Sequence, residues 1–200
     1  MKKVSIAIID SGFIPHKNAP LYSWSKTITL DADNNIHLSE GAPDEIGHGT
    51  AVAALISREN PDADLYILKV FDDQPVIDEL RLVYALQYCV DVLRPDIVHM
   101  SNGISYCEYL PLFKQVCSKA YQNGIIVVAA HDNFGTLSYP ASLKGVIGVD
   151  VSDELKKGYV FLERDDVNIV VPNKTHRVPW LNNGFFTSNG TSFNACTVTS

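Results

Sequence analysis

Apolar runs of strand length alternate with helix-like stretches along most of this 200-residue chain. The first run, KVSIAIID at residues 3–10, is almost continuously apolar and ends at an aspartate, which is typical of a strand buried on both faces. Such alternation predicts an α/β fold with a largely parallel sheet. It also predicts where a functional site would lie, because sites in these sheets form at the carboxyl ends of the strands.

The spacing of apolar residues and the helix-stop signals predict three helices between the strands. These helices cover residues 47–58, 76–93 and 109–122. The other strands are predicted at residues 63–71, 96–101, 124–130, 145–151, 159–162 and 167–172. Residues 11–46 are polar and contain three prolines, so we expect them to be irregular. No repeat or linker-like stretch interrupts the pattern, which predicts a single domain over residues 1–200.

The charge balance argues against one broad class of partner. Sixteen basic residues against 23 acidic ones give a net charge of −7, whereas nucleic-acid binding requires a basic face. No apolar run approaches the roughly 18 residues of a membrane span, and the run before Asp10 is too short for the core of a signal peptide. We therefore expect a cytoplasmic protein that binds neither nucleic acid nor membrane.

The four cysteines have no spacing typical of a metal site. They are Cys89, Cys107, Cys117 and Cys196, and we expect reduced thiols. Cys196 is either a reactive thiol or a small apolar side chain in a helix, and the second interpretation is favoured. The sequence shows no clear acidic cluster for calcium, so we predict neither a metal nor a cofactor.

Asp10 and His48 stand in two motifs that could carry chemistry. In IIDSG, Asp10 is either a turn residue at a strand end or a nucleophile for phosphoryl transfer, but residues 11–13 supply no further carboxylate for a metal. In GHGTAVAALI, two glycines flank His48 at the start of a helix. A helix start disfavours a protonated imidazole, so this position suits a neutral histidine that accepts a proton.

Ser192 and Asn133 stand in two further motifs. In NGTSFNA, Ser192 begins a helix of small residues, so it is either a helix cap or a nucleophile beside free backbone N–H groups. In VVAAHDNFG, Asn133 follows a buried strand and is either a turn residue or an oxyanion donor. For each motif taken alone, the structural interpretation, a helix cap or a turn residue, is reasonable.

The combination of motifs is more specific than any one of them. Asp, His and Ser in this order form one of the known catalytic triads. The chain resembles the subtilisin-like serine peptidases, or subtilases. The motifs that carry the resemblance follow the family's order and span nearly the whole chain: AIIDSG, GHGTAVAALI, MSNGIS, VVAAHDN, SYPAS and NGTSFNA.

The resemblance implies a three-layer domain and a role for each matched residue. Ser192 would be the nucleophile of peptide hydrolysis through an acyl-enzyme, His48 its general base and acid, and Asp10 the group that orients His48. Asn133 and the backbone N–H of Ser192 would form the oxyanion hole. The segment SNGI at residues 101–104, with Ser101, Asn102 and Gly103, would pair with the backbone of a peptide or protein substrate.

The chain departs from the family's pattern at the pocket that takes the residue before the scissile bond. Ala130 is followed by His131 and Asp132, where the family usually has small residues before the oxyanion asparagine. These two side chains either narrow the pocket and select a polar or basic residue, or point away from it. Both alternatives stay open from the sequence.

A second departure follows Ser192. Cys196 stands where the family usually has a proline, and because this sequence ends at Ser200 we expect it to lack the family's usual C-terminal helices. The resemblance implies that a further segment or a partner chain covers this short helix. Because Asp10 lies so close to Met1, we also expect no prosegment and therefore a specialised intracellular processing protease. The alternative is a weakly active or inactive subtilase-fold subunit that binds peptides or regulates a partner.

Overall fold

The computed structural model describes residues 3–15, 24–134, 136–163 and 167–200. Its strands are β1 (Ser5–Asp10), β2 (Trp24–Leu30), β3 (Ile36–Glu40), β4 (Asp64–Lys69), β5 (Ile97–Met100), β6 (Ile126–Ala130), β7 (Val146–Ser152), β8 (Val160–Glu163), β9 (Val167–Pro172), β10 (His176–Pro179) and β11 (Phe185–Ser188). Its α-helices are α1 (His48–Glu59), α2 (Glu79–Tyr88), α3 (Leu110–Gln122), α4 (Thr191–Asn194) and α5 (Cys196–Thr199). A π-helical turn, Cys89–Leu93, continues α2.

Nine of the described strands form one sheet in the order β3-β2-β4-β1-β5-β6-β7-β9-β8. The neighbours from β2 to β9 pair in parallel, while β3 and β8 pair antiparallel at the two edges. The predicted α/β fold, with a mostly parallel sheet flanked by helices, is therefore confirmed. The carboxyl ends of β1, β5 and β6 lie side by side, because β5 pairs with both of its neighbours.

The sheet is buried on both faces because successive residues of a strand point to opposite sides. In β1, Ile6 and Ile8 pack on the side of α1, α4 and α5. Ala7 and Ile9 pack on the opposite side, against α2 and α3. All four residues have no exposed surface. This double burial explains why the first apolar run of the sequence is continuous rather than alternating.

Two β-hairpin pairs were not expected from the sequence. The strands β2 and β3 lie within residues 11–46, so the prediction of an irregular segment is wrong there, and residues 16–23 of that segment lie outside the described residues. Every residue of β3 is exposed, and its apolar residues, Ile36 and Leu38, are too few to mark a buried strand. The short pair β10 and β11 was missed for a similar reason, since β11 is largely exposed. Pairing with a neighbouring strand, rather than burial, places the exposed strands β3 and β11 in their sheets.

The helix that carries Ser192 is short but well packed. Ala195 joins α4 to α5 with helical dihedral angles of φ −62° and ψ −24°, so residues 191–199 run almost as one helix. Phe193 and Cys196 pack in the same cluster as α1, and Cys196 is 2% exposed. The Cys196 Sγ lies 3.9 Å from the backbone oxygen of Val52 in α1. Cys196 thus fills space between two helices, as the favoured interpretation expected.

Candidate active site

Asp10 and His48 form a close pair at the carboxyl end of the sheet. Asp10 ends β1 and is 1% exposed. His48 begins α1, and its Nδ1 lies 2.8 Å and 3.0 Å from the two carboxylate oxygens of Asp10. The backbone N–H of Ser11 donates to the same carboxylate at 2.7 Å. Because an ionised carboxylate only accepts hydrogen bonds, Nδ1 carries the hydrogen, and Nε2 is the nitrogen able to accept a proton.

Burial and charge have opposing effects on this pair. Burial alone would raise the pKa of Asp10, but the charge of His48 and the hydrogen bonds from His48 and Ser11 lower it below its ordinary value. Burial would lower the pKa of His48, but the charge and hydrogen bond of Asp10, with the charge of Asp44, raise it above its ordinary value of 6.5. The start of a helix also disfavours a charged imidazole, so the helix acts in the same direction as burial.

Asp44 is a buried carboxylate whose importance the sequence analysis missed. It is 2% exposed. Its hydrogen-bond donors, at 2.6–3.0 Å, are the hydroxyl of Ser11, the backbone N–H groups of Ile46 and Gly47, and both the N–H and the hydroxyl of Thr50. Gly47 precedes α1 and has no side chain to cap the helix, so Asp44 accepts the N–H of Thr50 in the first turn and the Ser11 hydroxyl accepts that of Gly49. The one local signal is an acidic residue three positions before Gly47.

Ser192 lies in the same cleft as the Asp10–His48 pair. It is the second residue of α4, and the ring of the next residue, Phe193, packs 5.1 Å from the ring of His48. The Ser192 hydroxyl donates to the backbone oxygen of Ser101 at 3.0 Å. Between these described residues, no hydrogen bond joins Ser192 to His48. The serine therefore lies beside the pair with its hydroxyl turned towards the end of β5.

Asn133 contacts the residues that precede Ser192. Its Oδ1 accepts the backbone N–H of Thr191 at 3.0 Å and the Thr191 hydroxyl at 3.2 Å. Since the oxygen of the amide faces Thr191, its Nδ2 is the atom available to donate to another group. Gly190 has φ +109°, and a Cβ there would lie 2.7 Å from Asn133 Oδ1, so the approach of Asn133 requires a glycine.

The segment after β5 is held from both ends. The Asn102 side chain donates to the backbone oxygen of Ile9 in β1 at 3.1 Å. Further along, the backbone N–H and oxygen of Ile104 both bond to Tyr139. Ile104 therefore has no backbone group left on that side for a peptide, which restricts the predicted pairing segment to Ser101, Asn102 and Gly103.

Ala130 ends β6, and His131 and Asp132 follow it, but the three side chains have different surroundings. Ala130 is fully buried and is absent from the described lining of the cleft, and its part in binding substrate stays a prediction. His131 lines the cleft, but its Nε2 bonds to Asn168 Oδ1 at 2.7 Å. Asp132 also lines the cleft, and its carboxylate accepts hydrogen bonds from the backbone N–H groups of Phe134 and Thr136. Both side chains are thus fixed by the fold, and their role in selecting substrates stays a prediction.

The cleft has a volume of about 460 Å³ and is open to solvent. Its lining brings together Asp10, His48, Ser101, Asn102, Gly103, His131, Asp132, Asn133 and Ser192. Within the described ranges, no three His, Cys, Asp or Glu side chains are grouped as metal ligands would be. The described helices include none that is long and apolar enough to cross a membrane.

Comparison with known proteins connects this geometry to a family. The family model of the Subtilase family, Peptidase S8, matches residues 1–200. The Minor extracellular protease Epr of Bacillus subtilis (strain 168) is 28% identical over 204 residues, which cover 96% of this chain and 30% of Epr. The Major intracellular serine protease of the same strain is 29% identical over 169 residues, covering 74% of this chain and 50% of that protein. The chain thus spans half or less of either relative.

Solved structures agree at the level of the fold. The epidermin leader peptide processing serine protease EpiP of Staphylococcus aureus matches with a TM-score of 0.77 at 16% identity, covering 98% of this chain and 63% of EpiP. A cold-adapted subtilisin-like serine proteinase matches with a TM-score of 0.73 at 18% identity, covering 98% and 72%. The fold is therefore that of the subtilisin-like serine proteases. Because the family model matches residues 1–200 of this chain, the chain belongs to the Subtilase family.

Proposed function

We propose that this chain carries the catalytic site of a serine endopeptidase that hydrolyses peptide bonds through an acyl-enzyme. The observation that carries the proposal is the buried Asp10 carboxylate bonded to His48 Nδ1, beside a serine at the start of a helix. A buried carboxylate in this position holds the imidazole with Nε2 directed outwards and stabilises the imidazolium that forms when it accepts a proton. A module that only binds peptides would have no need of this pair.

The reaction starts with rotation of the Ser192 hydroxyl away from Ser101 and towards His48. His48 Nε2 takes the hydroxyl proton while Ser192 Oγ attacks the carbonyl carbon of the scissile bond. The Asn133 Nδ2 and the Ser192 backbone N–H donate to the oxygen that becomes negative. His48 then gives its proton to the leaving amine, and the C–N bond breaks. A water molecule hydrolyses the acyl-enzyme by the same sequence of proton transfers.

The hydrogen bond from Ser192 to Ser101 suggests how substrate binding prepares the nucleophile. The backbone oxygen of Ser101 accepts the Ser192 hydroxyl at 3.0 Å. A peptide that pairs with Ser101 to Gly103 in an extended conformation offers a backbone N–H to that same oxygen. Binding would therefore replace the hydroxyl and release it to His48. In free enzymes, catalytic hydrogen bonds are often made only when substrate is present.

We propose further that the protein is a specialised processing enzyme in the cytoplasm. Four unpaired thiols suit a reducing compartment, and one relative is an intracellular protease, although another is extracellular. A structural neighbour processes a leader peptide, and the fixed His131 and Asp132 would restrict which side chains enter the cleft. Incubation of the purified protein with a panel of unrelated unfolded proteins tests this idea. Broad cleavage would contradict a processing role.

The second candidate is a subtilase-fold subunit that binds peptides without turnover. It is favoured by the hydrogen bond between Ser192 and Ser101, which turns the hydroxyl from His48. In that case Ser192 would only fix the helix to the end of β5. This candidate predicts peptide binding in the cleft with an unreactive serine.

A fluorophosphonate probe separates the two candidates, because it labels only an activated serine. We expect labelling of the unchanged chain, loss of labelling in Ser192→Ala, and retained labelling in the matched control Ser188→Ala, which removes a hydroxyl from the nearby strand β11. Absence of labelling from well-folded protein would contradict the endopeptidase proposal and favour the binding subunit. Circular dichroism of each variant verifies the fold.

A further inference from the structure

His99 is a buried histidine that the proposed reaction does not use. It lies in β5, has no exposed surface, and makes a hydrogen bond from each ring nitrogen. Its Nδ1 lies 2.6 Å from the Thr199 hydroxyl in α5, and its Nε2 lies 2.7 Å from the Ser101 hydroxyl. A buried imidazole is costly unless both nitrogens have partners, so these two bonds explain why the ring is tolerated there. They also connect two parts of the candidate active site.

The hydrogens of this network can be assigned from the other bonds that its hydroxyls make. The Thr199 hydroxyl also lies 3.3 Å from the backbone oxygen of Ala195, to which it can only donate. It therefore accepts from His99, so Nδ1 carries the ring hydrogen and the Ser101 hydroxyl donates to Nε2. Burial lowers the pKa of His99 to about 4, which keeps the ring neutral near neutral pH.

The geometry forms two parallel connections between a helix and a strand end. Ser192 and Thr199 are seven residues apart, about two helical turns, and therefore share one face of the helix. His99 and Ser101 are two residues apart along β5 and its continuation, and so point to the same side of the sheet. Ser192 bonds to the backbone of Ser101, and Thr199 bonds to His99. Both ends of the short helix are thus fixed to residues 99–101, which lie at the end of β5 and directly after it.

We propose that His99 is a positioning residue, which holds the helix of Ser192 in register with the substrate-binding segment that begins at Ser101. The inference rests on the proposed function, because it assigns His99 a part in placing the nucleophile. A helix of about nine residues is marginal unless tertiary contacts fix it. A displacement of about 1 Å at a reacting atom can reduce a rate by about 100-fold. The bond to Thr199 opposes such a shift from the far end of the helix.

The test compares variants that remove one partner of the His99–Thr199 hydrogen bond while keeping a side chain of similar size. His99→Phe removes both ring bonds, Thr199→Val removes the helix hydroxyl, and Thr199→Ser retains it. We expect kcat and the rate of fluorophosphonate labelling to fall on the order of 10-fold in His99→Phe and Thr199→Val, and to stay near the original value in Thr199→Ser. The double variant should be no slower than the slower single variant, because the two residues act as one unit.

The expected effect is on kcat rather than KM. Asn102 and Ile104 still hold the substrate-binding segment to β1 and to Tyr139, so KM should change less than about twofold. Val116→Ala in α3 is the matched control, because it opens a cavity in the core on the other side of the sheet. It should lower Tm while leaving kcat unchanged. Equal labelling rates in the original chain, His99→Phe and Thr199→Val would overturn the inference while leaving the proposed function intact.

Nuclear magnetic resonance of the imidazole nitrogens tests the network without relying on activity. The inference predicts a protonated Nδ1 and an unprotonated Nε2 for His99 in the full chain, with the Nδ1–H signal shifted in Thr199→Val but not in Thr199→Ser. An imidazole that is protonated on Nε2, or that titrates near pH 6.5, would overturn it. If the original chain is not labelled by the probe, the proposed function fails, and the nitrogen spectrum alone decides whether His99 connects helix and strand as inferred.

Discussion

At the scale of single residues, the behaviour of His48 depends on which of two opposing effects is larger. Burial is the largest single influence and lowers the pKa of His48, but the charge and hydrogen bond of Asp10, together with the charge of Asp44, raise the pKa above its ordinary value. Asp10 itself stays ionised in a buried place because His48 and Ser11 donate to it. A neutral residue at position 10 would leave His48 buried and would remove the Asp10 charge that raises the pKa of His48.

We therefore predict that Asp10→Asn changes both the rate and its pH dependence. The proposed general base works only when neutral, so kcat/KM of the original chain should rise as the pH increases through a His48 pKa above 6.5. In Asp10→Asn, burial then dominates, the pKa of His48 falls, and this rising limb moves to lower pH. The rate should fall by about 10⁴, because the asparagine no longer fixes the hydrogen on Nδ1.

A pH series of kcat/KM for Asp10→Asn and the original chain measures both effects. Asp31→Asn, which changes a partly exposed carboxylate in the turn between β2 and β3, serves as the control and should keep the original profile. A rising limb that moves to higher pH in Asp10→Asn would contradict the assigned cause of the shift.

At the scale of elements, the start of α1 is built by residues outside the helix. Gly47 adopts φ +96° and offers no side-chain cap. The free N–H groups of the first helical turn therefore donate to Asp44 and to the hydroxyl of Ser11. The same hydroxyl donates to Asp44 and thereby joins the residue after Asp10 to the loop before His48. The Asp10–His48 pair is thus aligned by a second carboxylate.

We predict that Asp44→Ala is strongly destabilising. Several buried donors lose their acceptor, and each unsatisfied group costs about 1–3 kcal/mol, so the free energy of unfolding should fall by about 3 kcal/mol or more. Urea unfolding of the chain and of the variant measures the loss. Asp31→Ala is the matched control: Asp31 also accepts from two backbone N–H groups, but in an exposed turn, so its loss should be clearly smaller. Equal losses in the two variants would contradict the role given to Asp44.

At the level of the whole molecule, the exposure of the four cysteine thiols depends on how closely the chain is packed around them. Cys89 and Cys117 have no exposed surface and Cys196 is 2% exposed, while Cys107 is half-buried. Burial raises the pKa of Cys117 to about 12 and that of Cys196 well above its ordinary value. Only the thiolate reacts readily, so buried thiols of raised pKa should be inert in the folded protein.

We predict one slowly reacting thiol in the native protein and four after unfolding in urea. Titration with a chromogenic disulfide reagent gives both numbers. Cys107 should account for the native reaction, even though burial raises its pKa to about 11, and Cys107→Ser should abolish it. Rapid reaction of Cys196 in the folded protein would show that the helix of Ser192 separates from α1.

Much of the fold, and the positions of the candidate site residues along it, could be predicted from the sequence because their signals are local. A strand buried on both faces, as β1 is, reads as a continuous apolar run. Asp10, His48 and Ser192 lie at a strand end or a helix start, which are recognisable positions along the chain. The exposed edge strand β3 could not be found in this way, since its pairing partners, rather than its own side chains, determine its place.

The α/β fold could be predicted from the sequence alone, and so could the carboxyl edge of the sheet, where Asp10, Ser101 and Asn133 follow strand ends. Three other features became visible only in the folded chain: Ala130 is buried, Asp44 aligns α1, and His99 connects β5 to the end of the Ser192 helix. The physical reason is distance along the chain. Periods of two and 3.6 residues record burial within one element, whereas a hydrogen bond across 100 residues, such as that between His99 and Thr199, leaves no local pattern.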